Sequence, residues 1–149
     1  MGGTGESFRR ECIGNIRLEF FTSIGSLTLE AWRGTRHCNI TTFTSGVRRR
    51  TEVKLDAGKW DRLVDPIARS GFWRWEKRYD SHRFTMYSPS WSFNVMADTG
   101  WHNSSGDGEY PEGFLGMLRQ LMAFSAEIEG MEMSPAARFL SPLTGESEA

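Results

Sequence analysis

Two hydrophobic periods stand close together in the second half of the chain, and the switch between them limits the folds it can reach. Trp91, Phe93 and Val95 alternate with Ser92, Asn94 and Met96. Alternation with a period of two marks a strand with one buried face. Further on, Phe114, Met117, Leu118, Leu121, Met122 and Ile128 recur every three or four residues, with Phe124 at the margin. That spacing is the buried stripe of a helix. Pro111 sits where such a helix can open, because a first-turn residue has no N–H that needs a helical partner. Residues 91–128 thus predict a strand, a polar Gly-rich loop over 101–108, and a helix over 111–129. A one-faced strand followed by an amphipathic helix calls for helices layered on a sheet.

The first half supplies more strands. Ile16, Leu18 and Phe20 alternate within 13–21, and Leu27, Leu29 and Ala31 alternate with Thr28, Glu30 and Trp32. Residues 37–44 are rich in Thr, Ile and Phe, and residues 47–55 carry Arg48, Arg49 and Arg50, the mark of an exposed edge strand. Asp56 is a suitable cap for a helix whose face is Trp60, Leu63, Val64 and Ile67. Pro66 lies inside that pattern and predicts a kink or a stop near Asp65. Residues 72–75 read as extended, and 83–87 as a further strand. The expected fold is α+β: an antiparallel sheet built from two β-β-β-α halves, with two helices packed on one face. The expected organisation is a flexible N-terminus over 1–11, a single domain over 12–129, and a flexible or loosely docked tail over 130–149, where Phe139 and Leu140 could dock.

Charge and composition bound the function. The formal net charge of −1 provides no global field for nucleic acid or an anionic membrane. No stretch approaches the roughly 18 apolar residues that cross a bilayer, and residues 1–10 lack an apolar signal core, so the expected location is cytoplasmic. Cys12 and Cys38 are then expected as reduced thiols. Lysine occurs only at Lys54, Lys59 and Lys77, so arginine supplies fifteen of the eighteen basic residues. This bias fits a GC-rich bacterium or its phage; the alternative is an arginine-bearing binding face.

No catalytic constellation stands out, and the reading leans towards a non-enzyme. His37, His82 and His102 have no ligand partner at helical spacing, and His37 and Cys38 should point to opposite faces of a strand, so no metal or cofactor is expected. Neither Gly-rich segment, 2–5 or 105–108, carries the lysine and spacing of a phosphate loop. Glu19 and Glu30 fall on neighbouring strands and are expected to be solvent-facing partners of arginines.

The run Trp91-Ser92-Phe93-Asn94-Val95, then Ser105-Gly106, then Tyr110-Pro111-Glu112-Gly113-Phe114, resembles a group of small bacterial domains of unknown function. In that group a Trp-x-apolar-x-apolar strand leads to a Ser/Tyr-Gly and a Tyr-Pro-x-x-Phe that opens the last helix. The likeness covers about 40 residues of the second half. It departs from the group's Gly-x-Asn-x-Tyr-Pro, having Gly106-Asp107-Gly108-Glu109 and no Asn. The resemblance implies the fold and a bacterial or phage origin, and no activity.

Two functions from different classes follow. The first is a non-enzymatic protein-interaction module of immunity or inhibitor type, with Trp32, Arg48, Arg50, Trp73, Trp75 and Trp101 as contact residues, since Trp and Arg dominate binding hot spots. The second is a small-molecule or nucleotide-binding module using the loop before the last helix, with Asp98, His102, Asp107 and Glu109 on its rim and the helix N-terminus behind it.

Overall fold

The computed structural model describes residues 9–80 and 89–129. The strand expected over 83–87 and the tail from residue 130 lie outside the described residues. A short 3-10 turn, Arg10–Cys12, leads into β1 (Ile13–Thr22), followed by β2 (Gly25–Trp32), β3 (His37–Thr44), β4 (Val47–Lys54) and helix α1 (Ala57–Ala68). A second 3-10 turn, Phe72–Arg74, precedes β5 (Arg78–Asp80), β6 (Ser90–Ala97), β7 (Gly100–Asp107) and helix α2 (Phe114–Glu129). The seven strands form one sheet in the order β4-β3-β2-β1-β6-β7-β5. All pairs are antiparallel except β5 with β7. The expected α+β class, with its antiparallel sheet and two helices, is the observed one. The halves are unequal: four strands precede α1 and three precede α2.

One face of the sheet is apolar. Ile16, Leu18 and Phe20 of β1 are aligned with Ala31, Leu29 and Leu27 of β2 and with Val95, Phe93 and Trp91 of β6. All nine are at most 3% exposed. Both helices cover this face. Trp60, Leu63, Val64 and Ile67 of α1 and Phe114, Leu118 and Leu121 of α2 join the strands in a single core. Phe114 lies 4.4 Å from Trp91, ring centre to ring centre. Side by side, the helices are tied at their outer edge by the bidentate Arg62–Glu127 pair and by Arg69 donating to Gln120.

Four local expectations are corrected. Helix α1 does not stop at Asp65 but runs through Pro66 to Ala68. The proline falls in the last turn, so the single hydrogen bond it removes, to the Arg62 carbonyl, interrupts no further turn, and its ring is buried. Residues 72–74 are not extended. Gly71 takes φ 86°, and the Ser70 hydroxyl donates to the Ile67 carbonyl and accepts from Phe72 N–H, closing a 3-10 turn. The polar stretch 101–108 is not a loop but most of β7, paired along its length with β6. Finally, α2 begins at Phe114 rather than Pro111. Gly113 at φ 93° breaks the helical path, and Pro111 instead caps a turn by accepting from Phe114 N–H.

Strand β7 escapes a hydrophobic reading because its core-facing residues, Gly100, His102, Ser104 and Gly106, oppose Ala97, Val95, Phe93 and Trp91. Small residues there make room for large ones on β6. Gly106 shows the limit. A Cβ at this position would sit 2.6 Å from the Tyr79 carbonyl oxygen and 2.8 Å from Trp91 Nε1, which donates to the Glu109 carbonyl. Gly106→Ala is therefore expected to cost about 2–4 kcal/mol through overpacking and the disturbed hydrogen bond. Gly116→Ala, on an exposed helical site with nothing near the added methyl, should instead gain about 0.5–1 kcal/mol. Equilibrium urea unfolding of both variants checks the contrast. A second test lies at Thr42, whose hydroxyl is buried on β3 without a hydrogen-bond partner among the described residues. Thr42→Val should leave stability unchanged or raise it by about 1 kcal/mol, because no bond is lost and a desolvated hydroxyl is removed.

Candidate functional site

The face of the sheet away from the helices is polar and open to solvent. Strand alternation places four residues of each long strand there. Its middle is satisfied internally. Arg17 on β1 donates to Glu19 at 2.9 Å and to Glu30 on β2 at 2.6 Å, and Ser92 on β6 donates to Glu19 at 3.0 Å. Glu19 and Glu30 are thus arginine partners, as their strand positions suggested. Arg78 on β5 closes the far corner by pairing with Asp80 and Asp107. These groups neutralise one another and leave little to recruit a partner.

The end of the face at the β1–β2 and β3–β4 turns is different. Phe21, Ser26, Phe43 and Arg48 form one row across β1, β2, β3 and β4. Phe21 is 43% exposed and Phe43 47%. They flank Ser26 from either side, about 10 Å apart by the spacing of two strands. Ile24 in the first turn is 59% exposed and Val47, beside the second, 58%. The two tips enclose a shallow recess of about 540 Å³ between Phe21, Ile24 and Phe43. Among the described residues these four are joined by only one other large exposed apolar side chain, Trp101. Scattered exposed apolar residues are ordinary, whereas Phe21, Ile24 and Phe43 gather round one recess and form a patch; Val47 shares the strand parity of Val53 and lies towards the other side of β4. Arg48 makes no ion pair with any described carboxylate, whereas Arg50 is paired with Glu52 at 2.6 Å.

The six residues expected to form a contact surface are divided. Trp32, Arg48, Arg50 and Trp101 stand on the open face, but not together. Arg48 belongs to the apolar corner, whereas Trp32 and Trp101 lie at the opposite end, opposite His37 and Met96 respectively. Three strand spacings separate those two tryptophans, about 14 Å. Trp73 and Trp75 lie on the other side, half-buried against the core. Trp75 is 5.7 Å from Phe93, and its indole N–H donates to the Glu112 carbonyl. The four residues of the supposed loop rim do not converge either. His102 faces the helices beside Phe72, at 5.3 Å, with the Thr99 hydroxyl 2.8 Å from its Nε2. Asp107, at the other end of β7, is aligned with Ser90 on the open face and pairs with Arg78. Asp98 is in the β6–β7 turn, and Glu109 lies beyond β7, exposed.

Phe21, Ile24 and Phe43 were missed, although two signals pointed to them. Phe20 and Phe21 are adjacent on one strand, so one of them must face away from the core. Ile24 is an apolar residue at the centre of a turn. Among the described residues, no three of His, Cys, Asp and Glu gather to hold a metal ion. Cys38 is buried on β3, and burial pushes its thiol up to about 12, which leaves it unreactive at neutral pH. No described helix is long and apolar enough to cross a membrane.

The Arg17 cluster gives a pH dependence. The Glu19 carboxyl is held below the ordinary glutamate value of 4.5, first by the hydrogen bond from Arg17, with Ser92 adding to it and partial burial opposing. The native state therefore binds this proton more weakly than the unfolded chain does. Its contribution is complete above the ordinary value and is lost as pH falls through the lowered one. Because Arg17 is half exposed and solvent screens the pair, it is worth at most about 1 kcal/mol. Urea unfolding of Glu19→Gln should show a shallower loss of stability than wild type as pH falls below about 4.5. No family model and no curated protein matches the chain.

Proposed function

We propose that the chain is a protein-binding module that caps its partner with the apolar corner of the open sheet face. The observation that carries this reading is the grouping of the exposed Phe21, Ile24 and Phe43 around the recess between two adjoining turns. Exposed apolar surface costs solubility, and a patch that is kept exposed marks an interaction site. The aromatic pair sits on a hydrogen-bonded ladder, so ordering it on binding costs little entropy. Arg48, next to Phe43 and without an ion-pair partner among the described residues, suits an acidic group on the partner's rim. Such a rigid, anchored corner fits proteins that act by occlusion, as immunity proteins and inhibitors of bacterial or phage origin do. The contact set is thereby revised from the dispersed tryptophans to Phe21, Ile24, Phe43 and Arg48.

The test is affinity capture by the wild-type chain and by Phe21→Ser/Phe43→Ser, followed by measurement of Kd for any protein lost in the variant. Circular dichroism establishes that the variant is folded. A specific partner should bind the variant at least about 30-fold more weakly, the loss of one hot-spot residue. A partner held equally well by both would remove the corner from the interface and overturn the reading.

A further inference from the structure

A second recess lies at the opposite end of the sheet from the apolar corner. Its walls are the turn that joins β2 to β3, the last rung between β3 and β4, and the first turn of α1. It holds about 630 Å³ and is lined by Arg33, Arg36, His37, Lys54, Trp60 and Asp61, among others. That volume is in the range of sites for small organic ligands.

Three observations set it apart. First, its charge is uncompensated. Arg33, Arg36 and Lys54 make no ion pair with any described carboxylate, and Asp61 is the one acid in the lining. Arg10, Arg17, Arg50, Arg62, Arg69 and Arg78 all have such partners. Second, the backbone that carries these cations is pinned. Arg33 N–H donates to the Gly14 carbonyl at 2.9 Å, Leu55 N–H to the Arg36 carbonyl at 2.8 Å, and His37 N–H to the Thr35 hydroxyl at 3.3 Å. Third, Arg36 takes φ 57°, a left-handed conformation that residues with a Cβ avoid. A left-handed residue is common in hairpin loops and fixes where Arg36 leaves the turn. The end of α1 is not needed, since Asp56 already accepts from Lys59 N–H there.

We propose that this recess binds the phosphate group of a small phosphomonoester. Like charges held together repel, and a dianion relieves all of them at once. Two guanidinium forks match the oxygens of a phosphate, and Lys54, opposite His37 in the strand register, adds a point charge. A phosphate ion alone underfills the recess, which leaves space for an attached sugar or nucleoside along the wall formed by Trp60.

The experiment is a 15N NMR titration of the full chain with inorganic phosphate, ribose 5-phosphate and adenosine monophosphate, each against sodium chloride at matched ionic strength. The expected result is saturable shifts of amides at 33–37 and 57–61 that chloride does not reproduce. Arg33→Ala/Lys54→Ala, whose altered side chains are exposed, should retain the wild-type spectrum elsewhere and weaken binding at least tenfold. Lys77→Gln, remote from the recess, should leave binding unchanged. Tighter binding of an organic phosphate than of inorganic phosphate supports the assignment of the attached group to the recess, and equal binding of the two would overturn it. Shifts that do not saturate, that spread over all exposed basic residues, or that survive the double substitution would overturn the proposal.

Discussion

The ladder between β1 and β6 holds the two halves of the chain in one sheet. It aligns Ile16, Leu18 and Phe20 with Val95, Phe93 and Trp91, so that the apolar sets from both halves fall on the same face. A shift of one residue would turn one half's apolar set to solvent while leaving the other's in place. Everything else follows from that alignment. Both helices must pack on the same face, because only that face is apolar, and they must lie side by side to cover it. The strands on either side then extend the sheet outward, ending at β4 and β5.

One-sided coverage also decides where function can reside. The covered face is filled by side chains and carries the stability. The uncovered face is partitioned by its own electrostatics. Its middle is closed by the Arg17–Glu19–Glu30 cluster and its β5 corner by Arg78 with Asp80 and Asp107. What remains unsatisfied lies at the two ends of β1 to β4: an apolar corner on one side, and uncompensated cations on the other. Neither property is required by the fold. A polar residue at Phe21 or Phe43 would sit comfortably on an exposed strand, and a glycine at Arg36 would relieve its backbone.

Much of the architecture was legible in residue order. β1 to β4 and β6 declare themselves through alternation or edge arginines, and α1 and α2 through their apolar stripes. β7 did not, because it faces the core with Gly106 and Ser104 where β6 contributes Trp91 and Phe93. Complementarity of volume between neighbouring strands leaves no hydrophobic period on the smaller partner. The 3-10 turn at Phe72–Arg74 was hidden for a similar reason: its geometry depends on Gly71 and on the Ser70 hydroxyl. The site was less legible than the fold. Tryptophans and arginines were weighted by residue type, but Trp73 and Trp75 turn inward to pack on the core. The exposed phenylalanine of β1 is marked by strand parity, since the alternation of Ile16, Leu18 and Phe20 already separates Phe21 from Phe20.

That separation is also the most direct test of the whole arrangement. Phe20 is 1% exposed and Phe21 is 43% exposed, although they are adjacent in the chain. Equilibrium unfolding of Phe20→Ala and Phe21→Ala compares them in the same strand. The structure requires Phe20→Ala to cost about 3–5 kcal/mol, and Phe21→Ala to cost less than about 1 kcal/mol. Comparable losses at the two positions would mean that the face assigned to binding is part of the core, and would contradict the register on which both the fold and its proposed function rest.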